Sequence, residues 1–202
     1  KLLRKLILMI QMKKDIILAG VGGQGILSIA TVIGEAALKE NLNIKQAEVH
    51  GMSQRGGDVQ SNLRISDSPI ASDLIAKGSA DMILSLEPME SLRYLPYLKA
   101  DGWIVTNSVP LINIPDYPAV EDVLAEVKKI KNHVILDVES IAKEVGSPRV
   151  ANIVMLGAAT PFLGISYEMI EEGIRSIFGR KGEEIVALNL KALEAGRSVV
   201  NK

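Results

Sequence analysis

Short aliphatic runs separated by glycines dominate the first half of the chain. Residues 15–19 (DIILA) predict a buried strand that ends where the glycines begin. From Gly25 onward apolar residues recur every three or four positions, which predicts a helix reaching about Glu40. Residues 44–49 predict a second strand, so these elements form a β-loop-α-β unit, which favours a right-handed parallel crossover.

A different pattern follows at residues 59–65 (VQSNLRI), where two faces alternate strictly. Gln60, Asn62 and Arg64 share one face, which predicts a strand with one side against water or polar groups. The aliphatic pattern then returns. Further strands are predicted at residues 82–86, 103–106 and 134–137, and helices around residues 89–98 and 120–130.

The character of the chain changes after Gly146. Residues 152–163, 167–178 and 183–195 predict three successive helices. The fold class expected is therefore α/β, a Rossmann-like three-layer fold with a mostly parallel sheet and a helical C-terminal third. We expect one domain over residues 12–202. Residues 1–11 are expected to be an upstream extension, with a native arm packed on a partner as the alternative.

Composition narrows the function classes. The 202 residues carry 23 Lys and Arg against 24 Asp and Glu, so no broad positive field favours nucleic acid or an anionic membrane. The apolar run near the N-terminus is too short to span a bilayer. There is no cysteine, which excludes disulfides and cysteine-ligated iron–sulfur clusters and favours a cytoplasmic location. No His, Asp and Glu cluster has metal-ligand spacing, so no metal site is predicted.

A glycine-rich loop, GVGGQG, joins the first predicted strand to the first helix. Its candidate ligand-binding residues are Gly20, Gly22, Gly23, Gln24 and Gly25. Glycines let the backbone approach a ligand closely, and the helix start offers free N–H groups and a positive dipole end. The loop fits a dinucleotide, another anionic or polar ligand, or a tight turn that binds nothing.

A nicotinamide dinucleotide would also need an acidic residue about 20 positions on, to bind the ribose hydroxyls. Glu48 lies near that place, although Lys45 and Gln46 occupy the nearer positions. The spacing alone therefore leaves a nicotinamide dinucleotide open.

A second loop, HGMSQRGGD, follows the second predicted strand. The candidate binding residues are Gln54, Arg55, Gly56 and Gly57, with His50 and Ser53 as candidate site or interface residues. A guanidinium beside two glycines suits a phosphate, a carboxylate or an acidic side chain of a partner. The alternative is a flexible connection with Arg55 in solvent.

Together the two loops resemble the gamma-type subunit of 2-oxoacid:ferredoxin oxidoreductases. The segments GVGGQGI and EVHGMSQRGGDVQSNLRIS carry the resemblance, and HGMSQRGG at residues 50–57 is closest to the indolepyruvate branch. The segments EPMESLR, VTN and NIVMLGA follow in the same order. The resemblance extends over about residues 13–193.

The resemblance implies a heteromeric enzyme that oxidatively decarboxylates a 2-oxoacid, transfers the acyl group to coenzyme A and passes electrons to ferredoxin. A larger alpha subunit would hold the thiamine diphosphate, Mg²⁺ and iron–sulfur clusters. This chain would be inactive alone, and we expect its two loops near the shared active site or the coenzyme A channel. The acid stays open among indolepyruvate, phenylpyruvate and hydroxyphenylpyruvate, with pyruvate or 2-oxoglutarate if the HGMSQRGG match misleads.

Three polar residues outside the loops are further candidates for the site or an interface. Glu87 and Asn107 end predicted parallel strands, where open sheets place ligand-binding groups, although Glu87 fits a plain helix cap as well. Asn152 begins the helical segment. His133 is expected at the surface or in a cap. Catalytic residues are not assigned.

Two other function classes remain open. One is a free-standing protein of Rossmann type that binds NAD or NADP, and the other is an assembly or sensor module that binds a nucleotide or acyl-coenzyme A. The isolated small subunit could also form homodimers.

Overall fold

The structure, a computed structural model, describes residues 12–50 and 57–200, with only the main chain at His50. Six strands form one sheet in the order β2-β3-β1-β4-β5-β6. The strands are β1 (Lys13–Val21), β2 (Asn43–His50), β3 (Asp58–Ser66), β4 (Ala80–Ser85), β5 (Leu98–Asn107) and β6 (His133–Leu136). β1, β4, β5 and β6 pair in parallel, whereas β3 is antiparallel to both β1 and β2.

Seven helices accompany the sheet in the described part of the chain. They are α1 (Ile26–Lys39), α2 (Pro88–Arg93), α3 (Val120–Lys128), α4 (Val138–Val145), α5 (Ala151–Leu163), α6 (Tyr167–Phe178) and α7 (Glu183–Val200). The helices of the last third, together with α1, pack on one face of the sheet around the larger core. The other face carries a smaller core that includes Ile75, Tyr94 and Val127. The three-layer α/β prediction with a helical C-terminal third is therefore confirmed.

The β-loop-α-β prediction is right about the direction of β1 and β2 but does not place them as neighbours in the sheet. β2 runs in the same direction as β1, because both are antiparallel to β3. β3 lies between them, however, so β1 and β2 are not hydrogen-bonded to each other. The alternation in β3 did not reveal this placement, because it reports the two faces of the strand and not which strands lie at its two hydrogen-bonding edges. Its polar face meets Asp15 through Arg64.

Three helices differ from the prediction. The helix expected at residues 89–98 is short, because α2 ends at Arg93 and Leu95–Tyr97 forms a 3₁₀ turn. α7 continues beyond residue 195 to Val200. The prediction omitted α4, although its buried positions Val138, Ala142 and Val145 follow helical spacing. A helix of eight residues shows only about two turns of apolar spacing, which is too short a pattern to recognise reliably in the sequence.

The C-terminal helices cross at very short range. A Cβ built on Gly157 of α5 would lie 2.1 Å from the Leu193 carbonyl oxygen, and one on Gly196 of α7 would lie 1.9 Å from the Val154 oxygen. Glycine at both positions lets the two backbones touch. This contact holds α5 in position against α7. The first residues of α5 line the candidate site described below.

Candidate functional site at the carboxyl edge of the sheet

The parallel strands end at one edge of the sheet, and most of the predicted site residues that the structure describes lie there. The glycine loop follows β1, Glu87 follows β4, and Asn107 is the last residue of β5. β3 runs in the opposite direction and begins at the same edge with Asp58, which pairs with Val21. Open α/β sheets bind ligands at this edge. The structure places Glu87 and Asn107 at strand ends as expected, and their role in binding stays a prediction.

The glycine loop makes a tight turn whose geometry requires glycine at two positions. Gly23 and Gly25 have φ angles of 103° and 87°, in the left-handed region. Gly25 precedes α1 and provides no side-chain cap, and the first turn of α1 contains no acidic residue. The beginning of α1 is therefore left without a negative group of its own, as an anion site requires.

Gln24 holds the loop against the neighbouring strand. Its Oε1 accepts a hydrogen bond from the Val21 N–H at 2.8 Å, and its Nε2 donates to the Leu86 carbonyl at 3.0 Å. A Cβ on Gly20 would lie 2.8 Å from the Gln24 Oε1, so a side chain there would displace the Gln24 amide from the Val21 N–H. Gln24 therefore ties the end of β1 to the end of β4, a structural role that the sequence did not reveal.

The two loops meet at their bases. The Gly22 N–H donates to the Gly57 carbonyl at 2.9 Å, and the His50 main chain pairs with Val59. The second loop therefore leaves and re-enters the sheet at the edge that carries the glycine loop. Ser53, Gln54, Arg55 and Gly56 lie outside the described residues, so their predicted roles stay predictions.

A cavity of about 400 Å³ opens above the glycine loop. Gly23, Gly25 and Ser28 line one side of it, and Arg149, Asn152 and Glu139 line the other. The Asn152 Nδ2 donates to the Gly25 carbonyl at 3.2 Å and so joins the start of α5 to the start of α1. The first turn of α5 contains no acidic residue either. At α5, however, the Ile153 N–H already donates to the Asn152 Oδ1 at 3.0 Å. The open N-terminus of α1, the exposed guanidinium of Arg149 and the carboxylate of Glu139 therefore meet at one cavity.

Asn107 is a buried cross-link rather than an open ligand group. Its side chain is 0% exposed, its Oδ1 accepts from the Val138 N–H at 3.3 Å, and its Nδ2 donates to the Val109 carbonyl at 2.9 Å. The same Nδ2 lies 3.0 Å and 3.1 Å from the two carboxylate oxygens of Glu139. Asn107 therefore orients Glu139 in the cavity wall without facing the cavity itself.

Glu87 performs the helix-capping role that the sequence analysis gave as its alternative. It is 1% exposed, its Oε2 accepts from the Glu90 N–H at 2.8 Å, and its Oε1 accepts from the Tyr117 hydroxyl. Burial and this hydrogen bond raise the pKa of Tyr117. Burial likewise raises the pKa of Glu90, although Arg93, at 2.7 Å, opposes that shift.

Asp137 caps α4 at the end of β6. Its carboxylate accepts from the Ser140 N–H at 2.8 Å, and this bond lowers the pKa of Asp137 below its ordinary 3.8. We expect Asp137→Ala to lower the free energy of unfolding by about 1 kcal/mol at pH 7. Because the pKa of Asp137 is lower in the folded state than in the unfolded state, the ionised carboxylate stabilises the fold fully above pH 3.8. This stabilisation is lost as the pH falls through the folded-state pKa.

Urea unfolding at pH 7 and pH 3 would measure this effect. The difference in the free energy of unfolding between the wild type and Asp137→Ala should reach its full size at pH 7 and be smaller at pH 3. Asp73→Ala, which changes an exposed loop aspartate, is the control and should alter stability little at either pH. A loss that does not depend on pH would contradict the capping role of the carboxylate.

A larger cavity, of about 500 Å³, lies near the beginnings of β5 and β6 and is lined by Trp103, His133 and Val199 among others. His133 Nδ1 lies 2.7 Å from the Ile130 carbonyl oxygen, which agrees with its predicted structural role. The smaller cavity is the candidate ligand site, because it lies at the carboxyl edge and is lined by the open N-terminus of α1.

The geometry argues against a nicotinamide dinucleotide. In that fold the acidic residue follows a strand adjacent to β1, whereas Glu48 is on β2 and β3 lies between. Adjacent strands lie about 4.8 Å apart, so Glu48 is displaced by about one further strand spacing. Sequence spacing suggested this role, but tertiary placement does not support it.

Sequence reasoning missed Arg149, Glu139 and Leu111 as cavity residues. Each comes from a segment distant in sequence from the glycine loop, and no spacing rule joins them. Within the described ranges, no group of three His, Asp or Glu side chains is arranged to hold a metal ion. None of the helices described there combines the length and apolar character that crossing a bilayer requires.

Comparison with known proteins identifies the family. Residues 15–199 match the family model described as pyruvate ferredoxin/flavodoxin oxidoreductase. Indolepyruvate oxidoreductase subunit IorB of Archaeoglobus fulgidus is 36% identical over 92% of this chain and 94% of its own length. The IorB subunit of Pyrococcus horikoshii is 38% identical over 90% of this chain and 93% of its own length. The 2-oxoglutarate synthase subunit KorC of Methanothermobacter thermautotrophicus is 31% identical over 95% of this chain and 97% of its own length.

Solved structures show the same fold. A keto/oxoacid ferredoxin oxidoreductase gamma subunit from Geobacter sulfurreducens has a TM-score of 0.67 at 27% identity, covering 93% of this chain and 98% of its own. The 2-oxoglutarate:ferredoxin oxidoreductase of Magnetococcus marinus, solved with 2-oxoglutarate, coenzyme A and succinyl-CoA, has a TM-score of 0.73 at 23% identity. The match covers 94% of this chain but only 31% of that longer one. The chain therefore belongs to the pyruvate ferredoxin/flavodoxin oxidoreductase family, as the order of its two loops and later motifs indicated.

Proposed function

We propose that this chain is the small, cluster-free subunit of an indolepyruvate ferredoxin oxidoreductase in the cytoplasm. The observation that carries the proposal is the match with IorB subunits at 33% to 38% identity over at least 90% of this chain and 93% of theirs. The complex would oxidise an aryl pyruvate to an acyl-coenzyme A and pass electrons to ferredoxin. The iron–sulfur clusters would lie in a larger subunit, because this chain contains no cysteine to ligate them. The family resemblance implies that the same subunit would hold the thiamine diphosphate and Mg²⁺.

Reconstitution tests this role. The chain alone, the cognate large subunit alone, and their mixture would be assayed for coenzyme A-dependent dye reduction with indolepyruvate, phenylpyruvate, pyruvate and 2-oxoglutarate. We expect turnover only in the mixture, and with an aryl pyruvate. A mixture that is inactive with all four acids would overturn the subunit role.

A second acid has a specific observation in its favour. KorC subunits of 2-oxoglutarate synthases are 28% to 31% identical over at least 92% of this chain. Their identity is lower than that of the IorB subunits, which is why we put indolepyruvate first. Preference for 2-oxoglutarate in the same assay would move the chain to that branch.

The cavity above the glycine loop suits the anionic part of coenzyme A. The open N-terminus of α1 offers N–H donors and Arg149 adds a positive charge, whereas the Glu139 carboxylate in the same lining opposes a phosphate placed next to it. Ser28 and Asn152 supply neutral polar groups in the same wall. In this proposal the chain binds and orients coenzyme A and does no covalent chemistry.

Arg149→Ala in the reconstituted complex is expected to raise the KM for coenzyme A about tenfold, with kcat changed by less than about twofold. A lost charge–phosphate contact weakens binding without touching the reacting atoms. Arg180→Ala, which removes an exposed arginine after α6, is the matched control and should leave both constants unchanged. An unchanged KM in Arg149→Ala would remove Arg149 from the coenzyme A site and leave the subunit role intact.

A further inference from the structure

The sheet has an open edge at β6. Within the described residues β6 is the last strand in the order and pairs with β5 alone. The Asn132 and Leu136 carbonyls accept hydrogen bonds from the β5 side at 3.0 Å and 2.9 Å. Successive residues of a strand direct their main-chain groups to opposite edges, so those of His133 and Ile135 face away from β5.

A groove of about 500 Å³ follows this open edge, and we call it the β6 groove. α7 packs on one face of the sheet and α3 on the other, so the two helices form its walls. A short edge strand is one way in which proteins keep an edge from pairing, but a walled groove leaves room for the side chains of an additional strand. The groove is lined by three residues of β6 (His133, Val134 and Ile135), by Trp103, by the end of α7 (Val199 and Val200) and by Lys128 of α3.

The two sides of the β6 groove differ in chemistry. Val134 packs against the larger core, as does Val200, whereas Ile135 packs against the smaller core on the side of α3. An added strand would therefore place one side chain against the valines and the alternate side chains near Lys128. Lys128 forms no ion pair with any residue in the described ranges. A carboxylate on those alternate side chains would supply its counter-charge.

Nearby carboxylates already have partners of their own. Three of them lie within three sequence positions of a groove residue. Glu126 lies 2.5 Å from Lys129, Asp101 lies 3.5 Å from Lys99, and Asp137 accepts from the Ser140 N–H. The positive charge of Lys128 is therefore left for a ligand.

We propose that β6 accepts an extended peptide segment of another protein chain, in which apolar and acidic residues alternate, as a seventh strand of the sheet. The open main-chain groups of His133 and Ile135 would hydrogen-bond to the segment. The end of α7 would cover its apolar side chains, and Lys128 would bind its carboxylates. This inference does not depend on the proposed function, because no residue of the β6 groove lines the candidate site.

Charge argues against the two occupants that this chain itself could supply. Residues 1–11, outside the described part of the chain, carry three cationic side chains and no carboxylate, so Lys128 would repel them. A second copy paired through its own β6 would bring a second Lys128 to the same place. An acidic segment of a different chain therefore fits the groove best.

Two blocked peptides test the proposal on the full-length chain. GDVDVDG alternates acidic and apolar residues, and GKVKVKG reverses the charge. Trp103 is the single tryptophan and lines the groove, so its fluorescence reports binding. We expect GDVDVDG to bind with a Kd below about 1 mM and GKVKVKG to bind at least about tenfold more weakly. No saturable change in Trp103 emission with GDVDVDG, or equal Kd values for the two peptides, would overturn the proposal.

N-methylated forms of GDVDVDG distinguish an added strand from a peptide held by charge alone. Alternate residues of an added strand turn their N–H groups toward β6. Methylating the nitrogens of the aspartates or those of the valines should therefore abolish binding, whereas methylating the other set should leave Kd within about twofold. Equal effects of the two sets would contradict the strand geometry and overturn the proposal.

Lys128→Glu tests the charge of the groove, and Lys39→Glu is the matched control, because Lys39 is likewise the exposed last residue of its helix. Thermal unfolding first verifies the fold of both variants. We expect Lys128→Glu to raise the Kd for GDVDVDG at least about tenfold and to lower that for GKVKVKG, and Lys39→Glu to change neither.

Two results with these variants would contradict the proposal. If Lys128→Glu binds both peptides as the wild type does, Lys128 does not select the charge of the occupant. If sedimentation shows a dimer of the wild type that Lys128→Glu strengthens, the occupant is a second copy of this chain and not an acidic segment.

Discussion

Arg64→Met is expected to lower the free energy of unfolding by about 3 kcal/mol. Arg64 makes a bidentate pair with Asp15 at 2.7 Å and 3.1 Å, and the Asp15 side chain is only 2% exposed. Removing one partner leaves a buried carboxylate poorly compensated. Lys13 lies 3.0 Å from Asp15 but is 52% exposed, so it can replace only part of the lost interaction. The loss of stability should therefore lie near the lower end of the range for breaking a buried ion pair.

The Arg64 guanidinium also orders the chain that follows β3. Its Nη1 donates to the Ser72 and Leu74 carbonyls at 2.9 Å and 3.2 Å. Those carbonyls are in exposed residues, so water can replace the arginine there. The larger part of the loss should therefore come from Asp15.

Urea unfolding of the single and double variants separates the two contributions. In Asp15→Leu/Arg64→Met, both partners become apolar, and most of the lost stability should return. Arg175→Met removes an exposed arginine from a pair with Glu172 at 3.5 Å and should change stability by less than about 1 kcal/mol. A double variant as unstable as Arg64→Met would show that the loop contacts, and not the buried carboxylate, carry the effect.

Gly196→Ala is expected to lower the free energy of unfolding by about 2–3 kcal/mol. The new Cβ would lie 1.9 Å from the Val154 carbonyl oxygen, which is main chain and cannot rotate away. The helix propensity of alanine offsets about 1 kcal/mol of the strain. α5 and α7 must move apart, which also opens the larger core between them.

Gly179→Ala provides the matched control for this substitution. Gly179 has a φ of -55°, and no atom lies within 4 Å of its built Cβ. Alanine there should leave stability unchanged or raise it by up to about 1 kcal/mol. Thermal and urea unfolding of both variants make the comparison, and equal stabilities would mean that the two helices do not touch in solution.

Local sequence patterns predicted most of the elements because those patterns record which faces are buried. Helical spacing after Gly25 located α1, and the aliphatic runs located β4, β5 and β6. Alternation at residues 59–65 identified a strand with a polar face, which in the structure is where Arg64 meets Asp15. The ordered loops and motifs also identified the family, because they extend over nearly the whole chain.

The sequence by itself thus determined most of the elements, the glycine turn and the family. Only the tertiary structure showed that β3 lies between β1 and β2, which displaces Glu48 from a dinucleotide position. It also brought Arg149 and Asn152 to the glycine loop, where Asn152 bonds to a residue 127 positions away. The physical reason is that local patterns encode burial and backbone preference, whereas strand order and the meeting of distant segments depend on how the buried faces pack together.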